Sequence, residues 1–505
     1  MMRVVCPEQY GAKGDGVTDD TAALAAMASA ARQRGYLDVV FGHGKSYCHK
    51  NPFFLAQIPY IRISAYGARI KNILGSATPG GYTEDRVALA FPIFWTGHGP
   101  KLIDATVKDW GDPIQSADAG TNTLNLVTGS ARVSVGDRAL VYGFEGLGAS
   151  SNPPCGRVFE YVTVSGVSGG QVTLSAPLQN SYDAAWTDSL AATQYNPQLG
   201  SPRIVSLDRA GEFVQTKYLE IVGLETLANE AWTDSAGTVE RNGRISLGAC
   251  DKAVLRDVMV AGGMYINQGR NYELHNVTTH PSASIEVDKM IESVTFTNVR
   301  TGTFSGATAA RAIELKNCHA YRGVAMGPTD SLRIKGGYFC GGNLGSSQAM
   351  MQVTHGVRLV EVSGPSLSVF DSARTSLFSV LERTVSVAAI VSHTATDAVL
   401  DIGTQAEYEA SMFMRNVGIG YTLFDASDAK VAIVKRLPHL SSGRVNMIVK
   451  PLRTLTTSDT LTAPAIQKLK VTAMRGVGPY GHKIINTFAP FGRPATEGIA
   501  TEMEI

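Results

Sequence analysis

The sequence offers little that would place it in the commoner functional classes. Its 505 residues carry 45 basic and 44 acidic side chains, a net charge of +1, so there is no global pull toward nucleic acid. No lysine or arginine run supplies one locally. Met1 to Pro7 lacks the apolar region of a secretory leader, and no apolar run reaches membrane-spanning length. The six cysteines (Cys6, Cys48, Cys155, Cys250, Cys318 and Cys340) are scattered and show neither a zinc spacing nor a disulfide framework, which fits synthesis in a reducing cytoplasm. No Ser-His-Asp order or dinucleotide fingerprint occurs, and the glycines from Gly11 to Gly16 lack the Gly-Lys-Ser/Thr of a phosphate loop. No cofactor or metal is expected. His275, His280 and His319 lie near one another in the repeat frame described below, but single histidines on separate strands are usually surface residues.

What is abundant is glycine, with 52 residues, or about one in ten against a usual ~7%. Serine, threonine and valine accompany it, a mixture suited to many short strands and tight turns. Tyr10-Gly11-Ala12-Lys13-Gly14-Asp15-Gly16-Val17-Thr18-Asp19-Asp20-Thr21 leads into an alanine-rich run ending at Arg34-Gly35. The glycines allow positive φ. Thr18 and Asp19 are placed to offer oxygens to the free N–H groups of a helix start. Leu24, Met27, Ala28 and Ala31 share one helical face, Gly35 suits a left-handed stop, and Leu37 to Phe41 reads as a strand.

From residue 217 onward, short apolar blocks repeat. Leu219-Glu220-Ile221-Val222-Gly223 aligns with Ala253 to Asp257, Tyr272 to Asn276, Val294 to Asn298, Ile313 to Asn317 and Leu332 to Gly336. The last column falls at 223, 257, 276, 298, 317 and 336, in steps of 34, 19, 22, 19 and 19. A period near 20 residues lies at the short end of solenoid repeats. The third position of each block is apolar and points inward, and the second and fourth point outward. Asp257, Asn276, Asn298 and Asn317 fall in one column, where stacked amides can bond along the stack. A second strand precedes each block, as in Met264 to Asn267 and Ile285 to Asp288.

Residues 10–21 resemble the N-terminal motif of the pectate-lyase-like right-handed β-helix proteins, a family that includes many bacteriophage tailspikes and polysaccharide depolymerases. The resemblance implies an all-β fold: a right-handed parallel β-helix whose open end is covered by the helix, as exposed strand edges and core require. The expected organisation is a cap over 1–50, first rungs over 51–119, an inserted small β-domain over 120–180, the main β-helix over 181–370 and a β-rich C-terminal domain over 371–505. The insertion rests on its different grain. Thr123 to Val127, Val133 to Val141 and Phe159 to Val164 are followed by a Gly169-Gly170 hairpin signal and Gln171 to Leu174.

The usable catalytic signal is a set of carboxylates at outward strand positions. Glu286 and Asp288 share a strand and a face, and residues i and i+2 lie roughly 6.5–7 Å apart. Acid and base carboxyls of inverting glycosidases stand about 6.5–9.5 Å apart. Tyr265, one rung away, offers an aromatic platform for a sugar ring, and the alternative is a solvated strand face. Glu273 stands in a second outward column with Glu220, Thr295, Glu314 and Arg333, where Arg333 is placed to pair with Glu314. The neighbouring column of Arg256, His275, Lys316 and Lys335 either attracts an acidic glycan or balances those glutamates. The long step before Asp257 implies a projecting loop, Glu225 to Gly243, in which Trp232 beside Glu230, Asp234 and Glu240 is a sugar-binding candidate. Tyr182, Trp186 and Tyr195, after the insertion, either bind sugar or pack back. Polygalacturonases of the same broad architecture place Asn-Thr-Asp, Asp-Asp and Gly-His-Gly near these strands. Pro281 to Ser284 and His319 to Gly323 do not match, so that constellation is not expected.

The resemblance implies a tailspike-like receptor-binding protein that binds a host cell-surface polysaccharide and depolymerises it as a glycosidase or lyase. A non-catalytic phage adhesin and a bacterial polysaccharide-degrading enzyme are the alternatives. Implied with it are a homotrimer, attachment through Met1 to Gln9 to a virion adaptor or baseplate, and a place in the virion tail after release by lysis. Neither nucleic acid nor membrane insertion is implied.

Overall fold

The computed structural model describes residues 3–50, 53–55, 57–73, 87–90, 111–143, 158–182, 184, 202–208, 216–228, 243–326, 329–340, 349–353, 356–368, 376–380, 383–411, 413–427, 429–464, 466–472, 475–477, 483–487 and 500–504. The chain forms a right-handed parallel β-helix with three faces. Each coil passes through a first, a second and a third face before stepping to the next. One coil runs from Met264–His275, which supplies the first and second faces, through Thr278–Thr279 on the third, into Ser284–Thr297. The first two faces merge into one 17-stranded sheet, and the third is an 11-stranded sheet.

The faces merge because long strands bend at one residue without breaking. Ala249, Gln268 and Met290 occupy that corner with φ of 48°, 50° and 54°. The next corner is turned by the aligned column itself: Asp257, Asn276, Asn298 and Asn317 have φ of 54°, 53°, 55° and 50°, and Gly223 and Gly336 have 71° and 63°. Asparagine and aspartate tolerate this left-handed conformation better than other side chains. The amides also bond along the stack: Asn276 Nδ2 donates to Asp257 Oδ1 at 3.0 Å, and Asn298 Nδ2 to Asn276 Oδ1 at 3.2 Å. Inward positions such as Leu255, Leu274, Phe296, Leu315 and Ile334 build a single core that runs the length of the helix.

Helix Thr21–Arg34 closes the first coil, burying Ala23, Leu24, Met27, Ala28 and Ala31 against that core, and Gly35 ends it with φ 74°. The residues before it act differently from the sequence expectation. Asp19, not Thr18, serves the helix start, accepting from the Thr21 N–H at 3.1 Å. Thr18 turns back to Asp15, whose two oxygens accept its N–H and hydroxyl. Asp20 is buried and binds the glycine loop, accepting from the N–H groups of Lys13 at 2.6 Å and Gly14 at 3.2 Å.

Two antiparallel sheets leave the helix. The first has six strands, from Asp112–Pro113 to Arg203–Ser206, so it extends beyond 120–180 on both sides. The return strand is the cause: Arg203–Ser206 pairs with Arg138–Tyr142 on one side and Asp112–Pro113 on the other and completes the sheet. The second has seven strands between Arg383–Ser386 and Thr460–Ala463. It is an excursion and not the end of the solenoid. Lys468–Thr472 returns to pair in parallel with Val357–Ser363, and Lys483–Thr487 and Ala500–Glu504 add further helix strands. The 371–505 segment therefore divides into an excursion and resumed coils. The 20-residue period is lost there because the excursion separates neighbouring rungs in sequence.

Both excursions begin after a first-face strand (Val87–Ala90 and Ser376–Val380) and end before a second-face strand (Thr216–Val222 and Lys468–Thr472). They therefore leave at the same corner. Arg436 of the second pairs with Asp118 of the first at 3.1 Å. The first docks on the helix through Tyr161, whose hydroxyl donates to the Met290 carbonyl at 2.9 Å. Arg311 also docks it, lying over the Phe159 ring and donating to the Phe159 carbonyl.

Candidate functional site

The first face carries the candidate site. Ile245, Leu247, Ile266, Ile285, Val287 and Phe304 point into the core. The alternating outward positions bring Ser246, Tyr265, Glu286 and Ser305 into one column, one residue per rung about 4.8 Å apart. Tyr265 and Glu286 are thus direct neighbours across the ladder. Ser284 Oγ donates to Glu286 Oε1 at 3.3 Å, and Asn267 Nδ2 donates to the Tyr265 hydroxyl at 3.0 Å.

Three polar side chains of this outward surface are not satisfied by protein. Ser246 is 3% exposed and Asn267 0% exposed, yet Ser246 Oγ and Asn267 Oδ1 have no hydrogen-bond partner, and neither does Ser305 Oγ. A buried polar group left without a partner costs roughly 1–3 kcal/mol, so such groups are uncommon and mark places where a further donor or acceptor is accommodated. Here they surround a tyrosine hydroxyl and a carboxylate on rigid strands. Ser246, Asn267 and Ser305 are not among the site residues expected from the sequence. The available signal was their parity: each is a polar residue alternating with core residues, in register with Tyr265 or Glu286.

The other expected site residues fall elsewhere. Asp288 continues the Glu286 strand, its backbone paired with Asn267 and Thr308, and the register to the following rung shifts between Val287 and Asp288. Its side chain lies outside the described residues. Glu273 stands on the second face, beyond the bend at Gln268 and Gly269, and binds Lys252 at 3.2 Å and His275 at 3.7 Å. Burial pushes its pKa up, but the Lys252 ammonium and His275 outweigh this and hold it below the usual glutamate value. Lys316 and Lys335 both bind Glu314, at 2.9 and 2.8 Å, so these cations of the column are matched by its acids. Arg333 does not pair with Glu314 but reaches to Glu361, one rung on, at 2.9 Å, because the two lysines already occupy Glu314.

Trp232, Glu230, Asp234 and Glu240, and likewise Trp186 and Tyr195, lie outside the described residues. The base of the 225–243 loop is described: Thr226 Oγ1 donates to the Gly243 carbonyl at 2.5 Å, between the third face and the first. The first face therefore has the two excursions leaving along one edge and this loop leaving along the other. Tyr182 is buried in the first excursion, donating to Glu160 at 3.2 Å, and packs back. Among the described residues no group of three His, Cys, Asp or Glu side chains converges as a metal site, and no helix is long and apolar enough to cross a membrane.

No protein-family model matches the chain, and no curated protein matches it. Solved structures do. The tailspike protein gp49 from Pseudomonas phage LKA1 is similar over 92% of this chain and 100% of its own, with TM-score 0.33 and 11% identity. The tailspike gp61 of Pseudomonas phage phi297 is similar over 91% and 98%, with TM-score 0.29 and 12% identity. The gp54 tailspike of Acinetobacter baumannii bacteriophage AP22, solved in complex with A. baumannii capsular saccharide, is similar over 91% and 95%, with TM-score 0.29 and 10% identity.

Proposed function

We propose that this chain is a tailspike-like receptor-binding protein of the pectate-lyase-like β-helix class, which binds a host surface polysaccharide along its first face and cleaves it there. The observation that carries this reading is the Ser246–Tyr265–Glu286–Ser305 column with Asn267, in which Ser246 Oγ, Ser305 Oγ and Asn267 Oδ1 keep hydrogen-bonding capacity that the protein leaves unused beside a tyrosine and a carboxylate. Sugars present dense hydroxyls and apolar C–H faces, which suit the amide and hydroxyls and the Tyr265 ring respectively. Glu286 is the acid or base at the bond cleaved, and Asp288, two positions along the same strand, is its partner. Trp232, Glu230 and Asp234 extend the sugar contacts from the loop. The working assembly is a homotrimer in a virion tail, reached through an adaptor or baseplate protein. A binding-only role is the second reading, favoured by the single carboxylate among the described side chains of the cluster.

The test is to incubate the protein with capsule, O-antigen and exopolysaccharide from candidate hosts. New reducing ends mark a hydrolase, unsaturated uronate absorbance marks a lyase, and retention on the glycan with neither marks an adhesin. Glu286→Gln is expected to lower turnover by roughly 10²–10⁴-fold with binding retained. Turnover within about threefold of the parent in both Glu286→Gln and Asp288→Asn removes the assignment.

A further inference from the structure

The corner between the second and third faces carries a second feature, a notch of about 520 Å3 lined in part by Asn298, Arg300, Asn317, His319, Gly337 and Tyr338. That volume lies within the usual range for small-molecule sites. The amide ladder that climbs this corner breaks inside it. Each ladder bond runs from Nδ2 to the Oδ1 one rung earlier, reaching Asn298 but joining no bond from Asn317 among the described residues. Asn317 instead lies over Gly336, where an added Cβ would stand 2.5 Å from its Oδ1. Gly337 follows with φ 94°, and a Cβ there would stand 2.3 Å from the Cys318 carbonyl oxygen. Two consecutive glycines thus remove side chains from one rung and open the notch. Asn298 Oδ1 and the whole Asn317 amide are left facing solvent without a ladder partner.

The charge of the notch has one sign. Arg300 is exposed and enters no ion pair among the described residues, and no carboxylate lines the space. Arg300, His319 and Tyr338 follow Thr278 in one register column, one per rung. The His319 ring is held by two tyrosines, stacked on Tyr321 at 4.3 Å and edge-on to Tyr338 at 4.9 Å. Burial, then the Arg300 charge, hold His319 below the ordinary imidazole value, so at neutral pH Arg300 is the cation of the notch.

We propose that this notch binds a carboxylated sugar unit at a site separate from the first face. The Arg300 guanidinium takes the carboxylate, for which its planar fork is suited. Asn298 and Asn317 meet ring hydroxyls as acceptor and as donor. The exposed edge of Tyr338 covers an apolar face of the ring. A neutral sugar lacks the group that Arg300 recognises.

The experiment uses the full chain and ligand-observed saturation-transfer NMR, with glucuronate as probe and glucose as its neutral counterpart. Glucuronate is expected to give clear transfer and glucose about tenfold less, the value of one charge-assisted contact. Arg300→Gln, at an exposed position, is expected to reduce the glucuronate signal to the glucose level, and Arg300→Lys to retain part of it. Asn317→Ala, which breaks no ladder bond, is expected to weaken it several-fold. Absence of a glucuronate signal, equal signals from the two sugars, or an unchanged signal in Arg300→Gln overturns the proposal. A signal lost in Glu286→Gln and kept in Arg300→Gln belongs to the first face and also overturns it, whereas failure of glycan cleavage leaves the notch result standing.

Discussion

At the scale of single residues, the most constrained side chains are those that turn a corner without glycine. Asn276 holds φ 53° and makes two ladder bonds, one as donor to Asp257 and one as acceptor from Asn298. Substitution should therefore separate backbone strain from lost hydrogen bonds. Asn276→Gly removes the bonds but accepts the backbone, and should cost about 1 kcal/mol. Asn276→Val loses the bonds and puts a β-branched residue in the left-handed region, and should cost about 2–4 kcal/mol. Apparent melting temperatures at one scan rate give the order. Glycine proving more harmful than valine would show that the ladder, and not the backbone, governs this corner. The same scale separates two outward glutamates on long strands: Glu273 is held by the cations Lys252 and His275, whereas Glu286 accepts from the Ser284 hydroxyl and stands in the column of Ser246 and Ser305, whose hydroxyls lack partners.

At the scale of elements, the N-terminal cap depends on one buried carboxylate. Asp20 accepts from the N–H groups of Lys13, Gly14 and, at 3.4 Å, Cys48, tying the glycine loop and the helix start to strand Ser46–His49. Asp20→Ala strands three donors and should cost roughly 3 kcal/mol or more, whereas Asp20→Asn should cost less. Limited proteolysis is the readout, with early cleavage before Phe41 expected in the alanine variant. The second excursion has an acid-sensitive turn. The Ser427 hydroxyl donates to Asp425, burial opposes ionisation, and the backbone N–H groups of Ser427 and Ala429 with Arg453 also favour it, so its pKa is lowered to about 2. A folded-state pKa below the unfolded value of 3.8 means that the stabilisation is complete above the latter and is lost as pH falls toward about 2. The stability difference between the parent and Asp425→Asn should therefore be constant above about pH 5 and shrink as pH falls from there to about 2. Urea unfolding followed across that window tests it, and a difference that grows on acidification would reverse the assignment.

At the scale of the whole molecule, the coils are stacked so that each covers the edge of the one before. Val357–Ser363 is covered by Lys468–Thr472, which Ala500–Glu504 covers in turn. Truncation after Gly364 removes those coils and uncovers both strand edges and core, and should yield aggregating or protease-sensitive protein. Replacing 384–463 by a short glycine linker removes only the antiparallel excursion, and should leave a soluble helix with a single unfolding transition. If the truncated chain is the better behaved of the two, the later coils do not close the solenoid. A lateral face of this length is also the surface that cyclic symmetry would bury, so light scattering on the full chain is expected to give a trimeric mass, against the monomeric mass of an isolated helix.

The sequence by itself determined the elements that depend on local chemistry. Glycine loop, helix and left-handed stop were legible because each residue type there serves one backbone conformation. The rungs were legible because inward apolar residues recur every 19 to 22 positions between Asp257 and Gly336, and the left-handed column was visible as Asp257, Asn276, Asn298 and Asn317. Register along one strand also placed Tyr265 beside Glu286. Only the tertiary structure decided where the two excursions begin and end, because the closing strands pair with partners far away in sequence: Arg203–Ser206 with Arg138–Tyr142 in the first, and Thr460–Ala463 with Arg383–Ser386 in the second, after which Lys468–Thr472 rejoins the helix beside Val357–Ser363. It alone separated Glu273 from Glu286 by a bend, and it alone showed which outward polar groups are matched. Alternation says that Ser246, Asn267 and Glu314 all point away from the core. Whether such a group is matched by a lysine or keeps a polar atom without a partner is a property of the neighbouring rungs, and periodicity within one strand carries no information about it.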